Sequence, residues 1–181
     1  MSEIGIQVVD GSEVGLFVAE VAPVYAQVYA EPPYLEGPED VADFLSWLSG
    51  REDMRLVLAR DDGQLVGFGL AFRLLDGSWW TRLLDPLPTD FDTSETETGR
   101  TLVILELAVK AGCRRRGIAR AIHDALLDQP GLDRASLTVR PEPEAEPARR
   151  AYAKWGWRQV SRKQPWPEAP VYDLLVLPLK P

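Results

Sequence analysis

Four arginines surround the predicted start of a helix and form the most chemically distinctive cluster in the chain. They are Arg114, Arg115, Arg116 and Arg120, with Gly117 between them. The first turn of a helix leaves backbone N–H groups without partners, and the helix dipole favours an anion there. A pyrophosphate at this point would bind both the N–H groups and the guanidinium groups. Because Gly117 has no Cβ, a ligand can approach its backbone closely.

The same cluster has a simpler interpretation, in which the arginines are the solvated start of an ordinary helix. A strand, a basic turn and a helix follow one another in many folds that bind nothing there. The segment lacks both the Walker pattern Gly-x-x-x-x-Gly-Lys-Ser/Thr and the dinucleotide pattern Gly-x-Gly-x-x-Gly. The residues therefore indicate an anion site without naming the anion.

Glu106 is the only charged residue in the apolar stretch 101–109 (TLVILELAV). Burying an isolated carboxylate is unfavourable, so we expect Glu106 to have a partner, a raised pKa or access to water. A carboxylate near a cleft can act as a general base, which removes a proton from a reacting group directly or through a water. We hypothesise that Glu106 is the base that accepts this proton. The alternative is a structural carboxylate paired with an arginine.

A strand and a helix must position these groups. The stretch 101–109 is typical of a central strand covered on both faces. The following helix is predicted from Gly117 to Leu127, with Pro130-Gly131 ending it. Its apolar face consists of Ile118, Ile122, Ala125 and Leu126.

Apolar periodicity predicts the other elements. A strand over Glu3–Val9 is expected to turn Ile4, Ile6 and Val8 inward. Further helices are predicted over Val14–Tyr29 (with a kink or break at Pro23), Glu39–Leu48 and Pro147–Trp155. Further strands are predicted over Met54–Ala59, Gln64–Arg73, Ser136–Val139, Trp157–Ser161 and Val171–Leu177, the first two joined by a hairpin at Asp61-Asp62-Gly63. This order indicates a mixed α/β fold.

The segment 74–99 breaks the pattern and is predicted to be a short strand around Trp79 and Trp80, followed by a long exposed loop. Its carboxylates are Asp90, Asp92, Glu95 and Glu97. Together with Trp79 and Trp80, these groups would suit a wall that attracts a cationic amine. The alternative is a solvated surface loop.

Two blocks in the C-terminal half resemble the GNAT superfamily of N-acetyltransferases. The residues from Arg114 to Ala119 match that family's Arg/Gln-x-x-Gly-x-Gly/Ala motif. The block Ala148-Arg-Arg-Ala-Tyr-Ala-Lys-Trp-Gly-Trp157 is similar to its Ala-x-x-x-Tyr-x-Lys-x-Gly-Phe/Trp helix. Many members have Asn where this chain has Ala145, so a contact to the pantetheine arm is absent here or supplied by another residue.

The resemblance implies a single domain over residues 1–181. Its fold would be a mixed, mostly antiparallel twisted sheet of about seven strands flanked by helices, with a splayed parallel pair at the cofactor cleft. It also implies acetyl-CoA as cosubstrate, with the pantetheine bonded by the backbone of Leu107, Ala108 and Val109. The pyrophosphate would bind Arg114, Arg115, Arg116, Gly117, Ile118, Ala119 and Arg120.

The implied activity is acetyl transfer from acetyl-CoA to a primary amine of a small molecule or protein, by direct attack in a ternary complex. An amine with a pKa of about 10.4 is protonated at neutral pH, so Glu106 would accept the proton that the amine must lose before it attacks. The first helices flank the acceptor groove in that family, so the resemblance also implies that Tyr25, Tyr29 and Tyr34 join the wall around the amine.

Tyr152 matches the family's tyrosine near the thioester sulfur, where a phenol with a pKa of about 10 can donate to the leaving thiolate. The alternative is a tyrosine packed on the core. His123, expected at a boundary position, and Cys113 are interpreted as structural.

Composition narrows the class of protein. The 181 residues carry a net charge of −8 and one cysteine. Negative charge disfavours nucleic acid and anionic membranes, and one Cys with one His makes a metal cofactor unexpected. The acidic N-terminus and the lack of a long apolar run predict neither a signal peptide nor a membrane helix, and therefore a cytoplasmic protein.

Two other functions stay open at this point. One is an acyl-CoA-binding sensor with the same fold and no turnover. The other is a mainly structural protein that forms a homodimer through exposed tryptophans and the strand predicted over Val171–Leu177. Cleavage of the thioester separates the enzyme from the sensor, and sedimentation tests the dimer.

Overall fold

The computed structural model describes residues 4–75, 80 and 98–179. Its strands are β1 (Ile4–Asp10), β2 (Met54–Asp61), β3 (Gln64–Leu75), β4 (Thr98–Val109), β5 (Arg134–Val139), β6 (Arg158–Lys163) and β7 (Tyr172–Pro178). Its α-helices are α1 (Val18–Tyr29), α2 (Pro38–Ser49), α3 (Ile118–Leu127) and α4 (Glu146–Lys154). Outside the predicted strand around Trp79 and Trp80, the predicted element order is confirmed, with most boundaries displaced by one to three residues.

The strands form a seven-stranded sheet in the order β1-β2-β3-β4-β5-β7-β6 within the described residues. The pairs β1–β2, β2–β3, β5–β7 and β6–β7 are antiparallel. In contrast, β4 and β5 are parallel, from Thr101 opposite Arg134 to Val103 opposite Ser136. The predicted mixed, mostly antiparallel sheet is confirmed, and so is the central position of the apolar strand.

The chain divides into two compact units, each described here by itself. The first consists of Met1–Phe72 and Ile104–Gln129, and the second of Arg73–Val103 and Pro130–Pro181. Strands β3 and β4 contribute residues to both units. Glu106 and the arginine cluster belong to the first unit, and Tyr152 belongs to the second.

The hairpin between β2 and β3 forms as predicted. Asp61 pairs with Gln64, so two residues make the turn. Both have positive φ, 49° at Asp62 and 79° at Gly63. Left-handed values at both central positions match the twist of antiparallel strands, and Asp-Gly accommodates them readily.

Strand β1 forms, but its predicted buried face is wrong. Ile6 and Val8 are 38% and 43% exposed, whereas Val9 is only 3% exposed. Within the sheet, β1 lies at an edge and pairs with β2 alone. Alternation reveals that a strand has two faces, but the elements packed on an edge strand decide which face is covered.

The predicted helix over Val14–Tyr29 divides, but at a different position from Pro23. Residues Gly11–Phe17 form a 3-10 helix, and α1 continues through Pro23 to Tyr29. A proline removes one helical hydrogen bond. The buried face of α1, formed by Val21, Val24 and Val28, supplies packing that stabilises the helix despite this loss.

Two glycines of β3 allow close packing in the first unit. A Cβ on Gly67 would lie 2.8 Å from the carbonyl oxygen of Ala108 on β4. A Cβ on Gly69 would lie 2.5 Å from Ile122 Cγ2 and 2.8 Å from Leu126 Cδ1, both on α3. Strand β3 therefore approaches β4 and α3 closely because it lacks side chains at these positions.

We expect Gly69→Ala to destabilise the protein, because the added methyl group overlaps Ile122 and Leu126. Overpacking of this kind costs about 1–3 kcal/mol, and thermal unfolding would show the loss as a lower Tm. Gly5→Ala in β1 is the matched control, since the nearest atom to its added Cβ lies 4.0 Å away. Equal melting of both variants would show that α3 is not packed tightly on β3.

In the second unit, Trp80 is a core residue. Its backbone is helical rather than extended, contrary to the predicted strand. The side chain is 2% exposed, and its Nε1 donates to Ser136 Oγ at 3.2 Å. A buried indole that needs a partner for its N–H thus packs on β5. Trp79 and the carboxylates of the predicted acidic wall (Asp90, Asp92, Glu95 and Glu97) lie outside the described residues.

Candidate functional site

The arginine turn has the backbone geometry of an anion site. Gly117 caps the N-terminus of α3 with a φ of 82°. The Ala121 N–H donates to the Gly117 carbonyl at 3.0 Å, so the N–H groups before it belong to the first turn. A Cβ on Gly117 would meet nothing within 4 Å. The space that a side chain at position 117 would occupy is therefore open.

Two arginines of the turn are already held by carboxylates of the same unit. Arg114 donates from Nε to the Val109 carbonyl at 3.0 Å and from a terminal nitrogen to Glu31 at 2.9 Å. Arg116 contacts Asp61 Oδ2 at 2.6 Å. The carboxylates of Glu31 and Asp61 partly offset the positive charge of these two guanidinium groups.

The other residues of the turn differ in what they can offer an anion. Arg115 is exposed and has a φ of 63°. Arg120 contacts Asp124 at 2.8 Å, one turn further along α3. The Ile118 side chain is buried, so only its backbone N–H can face a ligand. Ala119 is half-buried, and its small side chain keeps this position compact.

The end of β4 presents main-chain groups beside this turn. The Lys110 N–H donates to Val66 on β3 at 2.9 Å, which holds the strand end in place. Ala108 and Val109 have buried side chains, and Leu107 is half-buried. The Val109 carbonyl also accepts from Arg114, so β4 and the arginine turn are joined directly.

Glu106 lies on β4, directly before these residues, and is half-buried. The Tyr29 hydroxyl donates a short hydrogen bond to Glu106 Oε2. Burial raises the pKa of Glu106 to about 8, although the bond from Tyr29 lowers it and the nearby negative charge of Glu36 raises it further. The carboxyl is thus a partly ionised group at neutral pH.

The recorded side-chain partner of Glu106 is a tyrosine rather than an arginine. Among the residues that the structure describes, Glu106 makes no ion pair. Within that part of the chain, the structure therefore does not support the alternative in which Glu106 is a structural carboxylate paired with an arginine. Glu106 is instead a carboxyl whose pKa is raised mainly by burial.

A second tyrosine–carboxylate pair lies one helical turn away on α1. The Tyr25 hydroxyl donates to Glu36 Oε2 at 2.7 Å. The rings of Tyr25 and Tyr29 have centroids 4.5 Å apart, and Tyr25 stacks on Phe44 at 3.9 Å. Burial and the nearby carboxylates raise the pKa of both tyrosines well above the usual value. We call Tyr25, Tyr29, Glu36 and Glu106 the tyrosine–carboxylate face.

Sequence reasoning did not find these pairs. The family resemblance places Tyr25 and Tyr29 in a possible acceptor wall, and no sequence pattern gives Glu36 a role. The four-residue spacing of the tyrosines does predict that they share a helix face. Their carboxylate partners come from a loop and from a strand, and Tyr29 is separated from Glu106 by 77 residues.

Tyr152 lies on α4 in the second unit and is half-buried. Its ring contacts those of Trp155 and Trp157, with centroids 5.7 and 5.9 Å away. The Trp157 N–H donates to the Tyr152 carbonyl at 3.0 Å. These contacts agree with the packing interpretation of Tyr152, and its role near a sulfur atom stays a prediction.

The loop between β5 and α4 is held by an arginine. Arg149 donates to the carbonyls of Arg140 and Glu142, both at 2.8 Å. Ala145, which replaces the family's Asn, is buried and precedes α4. Main-chain anchoring by Arg149 therefore shapes this loop without a side-chain contact from Ala145.

His123 and Cys113 have different surroundings. His123 is only 1% exposed, so its predicted boundary position is wrong. It lies on α3, which packs against β1 and β2 in the first unit. Its Nδ1 lies 2.9 Å from Asp124 Oδ1, and burial lowers the pKa of His123 despite this contact. Cys113 is a half-buried free thiol.

No group of three or more His, Cys, Asp or Glu side chains in residues 4–75, 80 and 98–179 is arranged to hold a metal ion. In the same part of the chain, no helix combines the length and apolar character needed to span a membrane.

Comparison with known proteins places the fold. The sequence matches the Acetyltransferase (GNAT) family over residues 21–157. A comparison with curated proteins finds no match.

Several solved structures have the same fold. NAA60 from Arabidopsis thaliana, solved with a bisubstrate analogue, is 19% identical with a TM-score of 0.66, over 98% of this chain and 100% of that one. The PaiA N-acetyltransferase of Thermoplasma acidophilum, solved with coenzyme A, is 11% identical with a TM-score of 0.63, over 97% and 99%. The ribosomal-protein-S18-alanine N-acetyltransferase of Escherichia coli is 15% identical with a TM-score of 0.63, over 98% and 94%. With the family match over most of its length, this chain belongs to the GNAT family of acetyltransferases.

Proposed function

We propose that this protein transfers an acetyl group from acetyl-CoA to a primary amine, by direct attack in a ternary complex. The observation that carries the proposal is the position of Glu106. Its carboxyl, with a pKa of about 8, lies on the strand that leads directly into the arginine turn. One unit of the fold thus contains both a proton acceptor and an anion-binding helix start.

The residues of the turn fit the pyrophosphate of acetyl-CoA. The first turn of α3 leaves N–H groups for an anion, the position beside the left-handed Gly117 is open, and exposed Arg114, Arg115 and Arg116 add positive charge. The backbone of residues 107–109 would bond the pantetheine amides. PaiA, whose fold this chain shares, was solved in complex with coenzyme A, and this supports the choice of cosubstrate.

Glu106 acts as the general base in this proposal. When bound, acetyl-CoA supplies the activated thioester carbonyl. The Glu106 carboxylate accepts a proton from the ammonium group of the acceptor, directly or through one water, which frees the nitrogen lone pair. Because the pKa is about 8, a useful fraction of the carboxyl is ionised near neutral pH while it stays basic enough to hold the proton.

Tyr152 donates a proton or hydrogen bond from its hydroxyl to the leaving sulfur in this proposal. We expect Tyr152→Phe to lower kcat by about 10- to 100-fold, because the ring is retained and only a hydrogen bond to the developing charge on sulfur is lost. The affinity for acetyl-CoA, measured by calorimetry, should change much less. Tyr172→Phe in the same unit is the control and should keep the wild-type kcat. An unchanged kcat in Tyr152→Phe would assign Tyr152 to packing alone.

The direct experiment measures release of coenzyme A from acetyl-CoA in the presence of primary amines. The panel contains alkylamines, arylalkylamines, diamines and peptides with free N-termini, and mass spectrometry identifies the acetylated product. We expect amine-dependent thiol release and a product heavier by one acetyl group. Tight acetyl-CoA binding without turnover on any of these classes would instead support an acyl-CoA-binding protein that lacks activity.

A further inference from the structure

We propose that Tyr29 is a positioning residue for Glu106, holding its carboxyl in one orientation through the hydroxyl that donates to Oε2. The inference rests on the proposed function, in which Glu106 accepts the proton of the amine. It adds a residue of α1 to the machinery of the reaction. Tyr29 acts through Glu106 and need not touch the reacting atoms.

The geometry of the tyrosine–carboxylate face supports a fixed donor. Tyr29 is the last residue of α1 and is 7% exposed. Its ring meets Tyr34 edge-on at 4.9 Å and Tyr25 at 4.5 Å. Tyr25 is in turn stacked on Phe44 of α2. Aromatic contacts on two sides therefore hold the phenol where it donates to Glu106.

The protonation of Tyr29 also suits a permanent donor. Burial raises the pKa of Tyr29 well above its usual value, and the negative charge of Glu106 raises it further. The phenol stays protonated across the pH range in which Glu106 titrates. It can donate to the ionised carboxylate at every pH of interest, and it cannot itself serve as the base.

The groups that act on Glu106 have opposite effects. Tyr29 stabilises the carboxylate by donating to it, and Glu36 in the loop between α1 and α2 destabilises it by like charge. Tyr25 faces both carboxylates, and Asp40 of α2 acts on Tyr25 and Glu36. Within the described residues of this unit, Tyr29 is thus the neighbour that counteracts desolvation and keeps ionisation of Glu106 within reach of neutral pH.

Tyr25 provides a matched control. It lies one turn earlier on the same helix face and makes the same kind of bond, but to Glu36. In Tyr25→Phe, Glu36 loses a donor that stabilises its charge. Glu36 then carries less negative charge near Glu106, so the pKa of Glu106 should fall or stay unchanged. In Tyr29→Phe, Glu106 loses its own donor, so its pKa should rise.

The experiment compares these two variants with the wild type by two measurements. A carboxyl-carbon NMR titration, with the Glu106 signal assigned from its loss in Glu106→Gln, reports the pKa directly and needs no turnover. The pH profile of kcat/KM reports the same group during the reaction. For Tyr29→Phe we expect both midpoints to rise by about one pH unit or more, since a hydrogen bond to a charged group is lost. For Tyr25→Phe we expect no rise.

The possible outcomes distinguish failure of the positioning role of Tyr29 from failure of Glu106 as the general base. An unchanged Glu106 titration in a folded Tyr29→Phe variant overturns the positioning role. A shifted titration with an unshifted rate profile upholds the contact but contradicts Glu106 as the base, and so overturns the proposed mechanism. If Tyr29→Phe does not fold, a fluorinated tyrosine at position 29 keeps the ring and strengthens the donor. That variant should lower the pKa of Glu106, and no change would again overturn the inference.

Discussion

Glu106→Gln is expected to lower kcat/KM at neutral pH by about 100- to 10,000-fold, the range that general base catalysis supplies. Glutamine has nearly the size of glutamate and still offers Tyr29 an oxygen acceptor, so the local structure should persist. Its amide cannot accept a proton from an ammonium group. Calorimetry should show acetyl-CoA binding close to that of the wild type, because the arginine turn is unchanged.

The pH profile makes this prediction specific to Glu106. In the wild type, kcat/KM should increase with pH and bend near the carboxyl pKa of about 8. In Glu106→Gln that bend should disappear, and only the rise from deprotonation of the free amine should remain. Rates measured with one amine from about pH 6 to about pH 9.5 distinguish the profile of the wild type from that of Glu106→Gln. A variant that retains both the wild-type rate and the bend would show that Glu106 is structural.

Stability gives a second check on the same carboxyl. Its pKa is raised from the ordinary value of 4.5 to about 8 in the folded state, so between these values the folded protein binds more proton than the unfolded chain. The free energy of unfolding should therefore fall as pH rises through this window, by at most about 1.4 kcal/mol per pH unit. Glu106→Gln removes this contribution, so its stability relative to the wild type should be higher at about pH 8 than at about pH 5.

Gly117→Glu is expected to weaken acetyl-CoA binding by about 100-fold or more, measured by isothermal titration calorimetry. The new side chain enters the open space beside the first turn of α3 and places a carboxylate where the pyrophosphate should bind. Repulsion then replaces charge-assisted hydrogen bonding at the helix start. The effect should be largest at low ionic strength, because the neighbouring arginines are exposed and screened by salt.

Gly131→Glu is the matched control for this variant. Gly131 has a φ of 75°, close to the 82° of Gly117, and its added Cβ also meets nothing within 4 Å. Backbone strain and added charge are therefore similar in the two variants, but Gly131 is not at a helix start. We expect Gly131→Glu to bind acetyl-CoA like the wild type. Equal loss in both variants would attribute the effect to strain, and no loss in either would contradict the pyrophosphate site.

Local patterns were sufficient for most of the fold. The apolar stretch that became β4, the Asp-Gly hairpin and the helix after Gly117 were predicted because each depends on neighbouring residues along the chain. The buried face of β1 was predicted wrongly, and α1 continues through Pro23 without the break that was one of the two predicted outcomes there. Both depend on what packs against the element, and that information is distant in sequence.

In the candidate site, too, the features that depend on neighbouring residues were predicted, and those that depend on distant residues were not. The arginine cluster and Glu106 stand out in the sequence, because charge at a helix start and charge in an apolar strand are unusual wherever they occur. Tyr29 could be placed on a helix face from its spacing with Tyr25. The carboxylate that it would meet could not be identified, because 77 residues separate it from Glu106.

The sequence by itself determined the order of elements, the position of Gly117 at a helix start and the presence of one charge in the central strand. These follow from backbone preferences and from periodicity over a few residues. Only the tertiary structure decided that Tyr29 donates to Glu106, that Tyr25 donates to Glu36, and that desolvation raises the pKa of Glu106. A pKa depends on burial and on the charges nearby in space, and those are set by how distant segments pack together.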